Sequence, residues 1–312
     1  MVSEVQEQSD TAQLRRALEV QEALETLKLD RPFDCYDPHP GQLAFHRSTH
    51  RIRTLFPGNG FGKTTAGAAE CHAWCTHLNR WQETPAWPVM VVWACPDFKQ
   101  FDKLRTQIEA DIIGKNARWV ADKNKYVYPG GDEFYIISCD RSWKYIQGIN
   151  PDLFVFDEEP PAPLWRESQM RRRGRRDTRY VVIATATKGI TWMSKVLYEP
   201  WKQHHRDAGL DEDQGIAAQT HPSIFCIPKG SARDNPGVSE DQWEAYQTVG
   251  WTSDKERQVR LFGGFQSWVG DAVYDGAGVE YLLEMQSVWA DKYGEAKIGS
   301  LIPKFKGDRI PV

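Results

Sequence analysis

Long apolar runs are missing from this 312-residue sequence. No stretch approaches the roughly 18 residues of a membrane span, so a soluble chain is expected. The opening MVSEVQEQSD lacks the basic and apolar segments of a signal peptide. A surplus of positive charge is missing too. With 39 Lys and Arg against 43 Asp and Glu the formal net charge is -4, which excludes a globally basic nucleic-acid binder and leaves a local basic surface open. Cysteine is sparse: Cys35, Cys71, Cys75, Cys95, Cys139 and Cys226 are scattered with no export signal, so reduced thiols in a cytosol are expected rather than disulfides. Cys71, His72 and Cys75 have no second ligand pair at zinc-site spacing, and they read as a half-buried helix face. What is present suffices for a large core. At 40% hydrophobic and 12% aromatic residues, this length suits a domain with additions, or two domains.

The most informative stretch is RIRTLFPGNGFGKTTAGAA (51–69). A short strand-type run enters the turn Pro57, Gly58, Asn59, Gly60, Phe61, Gly62, and Lys63, Thr64 and Thr65 then open a helix of small residues. Glycines at 58, 60 and 62 let successive backbone N–H groups turn toward phosphate oxygens, and the helix adds its positive end at the same spot. This is the composition of a phosphate cradle. In such a P-loop Lys63 reaches the β- and γ-phosphates and the Thr64 hydroxyl holds Mg²⁺. Pro57 stands where the usual pattern has its first glycine.

A second chemical signal lies in DLFVFDEEPP, where a fully apolar strand ends in Asp157, Glu158 and Glu159. Open α/β sheets place their ligand at the C-terminal ends of strands, and acids there demand a partner. Mg²⁺ is the natural one: Asp157 would hold the ion, and Glu158 would orient and deprotonate the attacking water. A third strand, YVVIA, runs into Thr185, Ala186 and Thr187, hydroxyl-bearing residues able to sense the γ-phosphate. Upstream, Gln42 can donate to and accept from an adenine edge at once.

The remaining texture orders the chain. An amphipathic helical arm covers 1–32, and it reads as a surface helix or as one that packs on the core or on a neighbouring subunit. Alternating strands and helices over 33–205, including VMVVWACP (89–96), a helix at 98–113 and a hairpin around Pro129-Gly130-Gly131, describe an α/β fold with a mostly parallel sheet flanked by helices. A small lid subdomain is expected over 206–265, with SIFCIP as a strand and two helices ending at Gly263. The block RRRGRR (171–176) is either a solvated helix end or a phosphate-contacting or intersubunit surface.

With these residues in order, the chain resembles the ATPase portion of large terminase subunits, the DNA-packaging motors of tailed bacteriophages. The anchors are HPGQLAFHRS before the loop, GNGFGKT at the loop, Gln147-Gly148 ahead of PDLFVFDEEPP, ATATKGITWM, and DNP with ERQVRLFGGF. The resemblance implies a P-loop NTPase of the ASCE or RecA-like type using ATP and Mg²⁺. Its ATP-binding set would be Gln42 and residues 57–65, its metal set Thr64 and Asp157, its catalytic residues Glu158 and Lys63, and its coupling segment Thr185 to Thr187. It further implies double-stranded DNA, a portal protein and a small terminase subunit as partners, a homo-oligomeric ring counted as a pentamer, and action in the host cytoplasm on the procapsid.

Two departures stand out. Related loops carry an arginine where this chain has Gly60, so a transition-state charge has to come from elsewhere, such as a neighbour's finger; Arg141, Lys144 and the block 171–176 are candidates. Large terminases also continue into a two-metal nuclease domain. Here GDAVYD (270–275) resembles only the approach to it, so Asp271 and Asp275 read as linker charges, 266–312 as a linker or an incomplete start, and nuclease activity is not expected. Two rival readings remain. A superfamily 2 DNA helicase shares these motifs but needs a second RecA-like domain, and a structural nucleotide binder would bind ATP without turnover.

Overall fold

Strands that are apolar on both faces must be covered on both sides, and the architecture follows from that. It is seen in a computed structural model that describes residues 2–140, 146, 148–170, 178–211, 219–251 and 253–266, with the backbone alone at 2–14 and 98. Arg141, Lys144, Gln147, the block 171–176, Asp271 and Asp275 lie outside the described residues.

The chain runs α1 (Val2–Asp30), α2 (Pro40–Arg47), β1 (Ile52–Leu55), α3 (Lys63–Thr76), β2 (Met90–Cys95), α4 (Phe98–Ile108), β3 (Arg118–Val120), β4 (Lys125–Val127) and β5 (Glu133–Ser138). It continues through β6 (Leu153–Asp157), α5 (Ala162–Met170), β7 (Arg179–Ile183), α6 (Glu199–Asp207), β8 (Ile224–Ile227), α7 (Glu240–Thr248) and α8 (Asp254–Phe262). The strands form an eight-stranded sheet in the order β3-β4-β5-β2-β6-β7-β1-β8. Pairing is parallel from β5 to β8 and antiparallel only at the β3-β4-β5 end.

Period-2 alternation sends side chains into two cores. Val91, Trp93, Val155, Val181 and Ile183 face α3 and α4, whereas Val92, Phe154, Phe156, Tyr180 and Val182 face α5 and α6. α3 approaches closely because its inner positions are small. A Cβ on Gly67 would stand 2.9 Å from the Trp93 ring and 3.0 Å from Ile183. Cys71, His72 and Cys75 are fully enclosed rather than half-buried, because Phe33 and Phe45 cover the side of α3 away from the sheet. His72 Nδ1 meets the Tyr128 hydroxyl at 2.9 Å, and burial foremost raises both thiols well above their ordinary range.

One further feature differs from the sequence reading. SIFCIP, expected in the lid, supplies β8, which pairs in parallel with β1 and so completes the main sheet. In the arm, Leu18, Leu24 and Leu29 are 59%, 49% and 76% exposed and Leu27 is half-buried.

Beneath the loop lies a buried ionic cluster. Glu70 on α3 accepts from Arg53 Nη2 (2.8 Å), Trp74 Nε1 (3.0 Å) and Gln82 Nε2 (2.6 Å), and it pairs with His46 Nδ1 at 2.8 Å. Burial pushes its carboxyl up, but the Arg53 guanidinium and the His46 hydrogen bond outweigh that and hold it down to about 2. The cluster thereby ties α2, β1 and α3 together.

Candidate functional site

Parallel pairing puts the C-terminal ends of β6, β7 and β1 side by side, with β7 in the middle. Ala184 N–H donates to Leu55 O at 2.9 Å and Glu158 N–H donates to Ile183 O at 2.7 Å, so the three strand ends are stitched together. The P-loop, the acids and the threonine segment therefore share one edge.

Lys63 is the hub. Its Nζ donates to Pro57 O (2.9 Å), Gly58 O (2.8 Å) and the Thr185 hydroxyl (2.9 Å). Thr185 in turn bonds Asn59 Oδ1 at 3.1 Å, and its N–H donates to Glu158 Oε2 at 3.1 Å. Glu158 has φ of +65°, a left-handed backbone that is costly for a residue other than glycine. Such strain gathers at functional sites.

The electrostatics agree with the geometry. Burial lowers Lys63 to about 8, against the pull of Glu158 and Asp157, which favour its charged form. Burial, with Glu158 alongside, pushes Asp157 up to about 7, and Lys63 opposes the shift. The buried Trp93 indole N–H lacks a partner of standard hydrogen-bond geometry yet stands close enough to oppose it too. Burial also raises Glu158, while Lys63, the Thr185 N–H, Lys188 and Arg260 hold part of that shift back. Two acids share one half-buried lysine, and the deficit of positive charge suits a divalent cation.

The loop itself fits phosphate. Gly60 and Gly62 have φ of +79° and +89°, conformations that favour glycine. No described residue accepts from the N–H groups of Gly60, Phe61 and Gly62, and the first turn of α3 follows directly. Gly58 N–H and Asn59 N–H point elsewhere, to Gly230 O (2.8 Å) and Arg260 O (2.6 Å). Their role is to dock the loop on the chain that follows β8. Asn235 Nδ2 adds a bond to Gly60 O at 2.8 Å.

Gln42 is 4% exposed and already engaged. Its Nε2 donates to Gly62 O at 2.9 Å and its Oε1 accepts from His39 N–H at 3.2 Å, so it braces the loop. His39 Nε2 bonds Phe61 O at 2.9 Å. Thr64 and Thr65 sit half-buried at the start of α3, with Ala186 buried and Thr187 half-buried beyond Thr185. Sequence reasoning missed His39, Trp93 and Arg260 as neighbours of the site. The glycine at 58 was the available signal for a partner segment, since a Cβ there would stand 2.4 Å from the Leu261 carbonyl.

Among solved structures, the ATPase domain of the large terminase of Thermus phage P74-26 aligns with a TM-score of 0.53 at 20% identity, covering 72% of this chain and 93% of that domain. The fold is that of a phage large-terminase ATPase domain. A point variant of the same terminase domain aligns with a TM-score of 0.53 at 21% identity over the same shares. No protein-family profile and no curated protein matches the chain.

Proposed function

We propose that this chain is the ATP-hydrolysing motor of a large terminase, moving double-stranded viral DNA into a procapsid. The observation that carries the reading is the continuous link from Lys63 through Thr185 to Glu158, with Asp157 alongside at the same strand edge.

Each residue has work suited to its surroundings. The N–H groups of Gly60 to Gly62 and the first turn of α3 bind phosphate oxygens, and Lys63 turns from the loop carbonyls to the β- and γ-phosphates. Thr64 and Asp157 would hold Mg²⁺, which takes one or two protein ligands and completes its shell with phosphate and water; when bound it neutralises phosphate charge. Glu158, raised by burial, takes the proton of the attacking water, a contribution of about 10²–10⁴-fold.

Motion follows from the same bonds. When the γ-phosphate leaves, Lys63 and Thr185 change partners, and the Gly58–Gly230 and Asn59–Arg260 bonds carry the loop's shift to the segment after β8. That segment, with α7 and α8, is the lid in this reading. The partners are DNA gripped through its phosphates, a portal protein, a small terminase subunit and further copies of the chain in a ring.

The test is DNA-stimulated ATPase activity together with ATP binding. Glu158→Gln is expected to bind ATP and lose turnover, and Lys63→Ala to lose both. Wild-type turnover in either variant refutes the site.

A further inference from the structure

The tip of the loop has no room for a side chain. A Cβ on Gly60 would stand 2.7 Å from the Ala232 Cβ, on a backbone at φ +79°. Positive charge for a developing phosphoryl anion must therefore reach the site from another element. Among the described residues, three cations act on Glu158: Lys63, Lys188 and Arg260. Lys63 is already the phosphate lysine, and Lys188 lies exposed beyond Thr187.

Arg260 is placed differently. Its backbone is fixed to the loop, because its carbonyl accepts Asn59 N–H at 2.6 Å and lies 2.7 Å from where a Gly58 Cβ would be. Its side chain is held one turn back along α8, where Nε donates to Glu256 Oε1 at 2.8 Å. The pair is partly open to solvent, with side chains 37% and 17% exposed, and an i,i+4 ion pair of this kind holds weakly. The position is thus anchored at the cradle while the guanidinium can pivot.

We propose that Arg260 is a phosphate-contacting catalytic residue supplied within the chain: Glu256 holds its guanidinium aside, and the γ-phosphoryl group draws it over to stabilise the transition state. This rests on the ATPase reading above. A guanidinium can span two phosphoryl oxygens, a geometry that an ammonium cannot match. It also makes α8 sensitive to the phosphoryl group, because the residue that contacts the group is the one whose carbonyl clamps Asn59.

The experiment measures turnover, ADP affinity and the thermal shift given by ADP with aluminium fluoride, a mimic of the transferring phosphoryl group, in the full chain. Arg260→Ala is expected to lose about 10³-fold in turnover. It should keep ADP affinity within about threefold, since ADP lacks the group that arginine reads. It should lose the extra thermal shift that aluminium fluoride adds to ADP. Arg260→Lys keeps the ion pair with Glu256 and guards against misfolding; it is expected to lose turnover nearly as far. Lys63→Ala and Glu158→Gln separate the two levels of the argument. If both are inactive while either Arg260 variant keeps wild-type turnover and the full aluminium fluoride shift, Arg260 is overturned and the ATPase reading stands. If Lys63→Ala or Glu158→Gln turns over normally, the ATPase reading itself falls.

Discussion

Asp157→Asn should make the protein more stable as it makes it inactive, with a signature in pH. The carboxyl is pushed from the ordinary aspartate value of 3.8 to about 7 by burial and by Glu158. Between these values the folded chain holds a proton that the unfolded chain has released, so raising the pH costs the wild-type protein stability at about 1.4 kcal/mol per pH unit. Asparagine does not titrate. The stability advantage of the variant should therefore grow by about 2 kcal/mol between pH 5 and pH 7, allowing for half-titration at the upper end. That corresponds to a widening of the Tm difference by about 3 °C for a chain of this size, taking about 2.1 cal/mol/K of unfolding entropy per residue. Lys63, lowered to about 8, begins to titrate above this window, so the comparison ends at pH 7. The assay is thermal melting of both proteins in chelator without nucleotide, in half-unit pH steps. A Tm difference that stays constant from pH 5 to pH 7 would refute the raised titration of Asp157.

Gly58→Ala forces a methyl group against the Leu261 carbonyl and should lower stability by about 1–3 kcal/mol, read by urea melts, with a parallel fall in turnover. Glu70→Gln leaves the Arg53 charge buried without its counter-ion, and a loss of about 3–5 kcal/mol in urea-derived stability is expected. Asn235→Ala removes the bond to Gly60 O and, at about 1 kcal/mol for one hydrogen bond, should weaken nucleotide binding about fivefold in a fluorescence titration.

The parts legible in the sequence are those whose signal is local. A strand, a glycine turn and a small-residue helix declared the cradle, and an apolar run ending in acids declared the edge of β6, because period and turn chemistry are written in neighbouring residues. The hairpin of β4 and β5 was readable for the same reason. β8 was readable as a strand but not as part of the main sheet: its four apolar residues follow a polar connector, and only pairing with β1, some 170 residues earlier by register, places them there. β3, three residues long at a sheet edge, is too short to show a period. The bonds from Gly58 and Asn59 to Gly230 and Arg260 join backbone to backbone, so no side chain announces them. Gln42 was noticed for its chemistry, yet its brace on Gly62 depends on a tertiary approach of α2 to the loop.

Lys63 already spends all three of its ammonium hydrogens on its own chain, at Pro57, Gly58 and Thr185. In the proposed cycle an arriving triphosphate would trade places with these internal acceptors instead of falling onto a bare charge. Departure of the terminal phosphate would restore the old partners, giving the return stroke a built-in destination. A cycle with two defined resting points for one side chain is what a machine needs if each molecule of fuel is to count as one step.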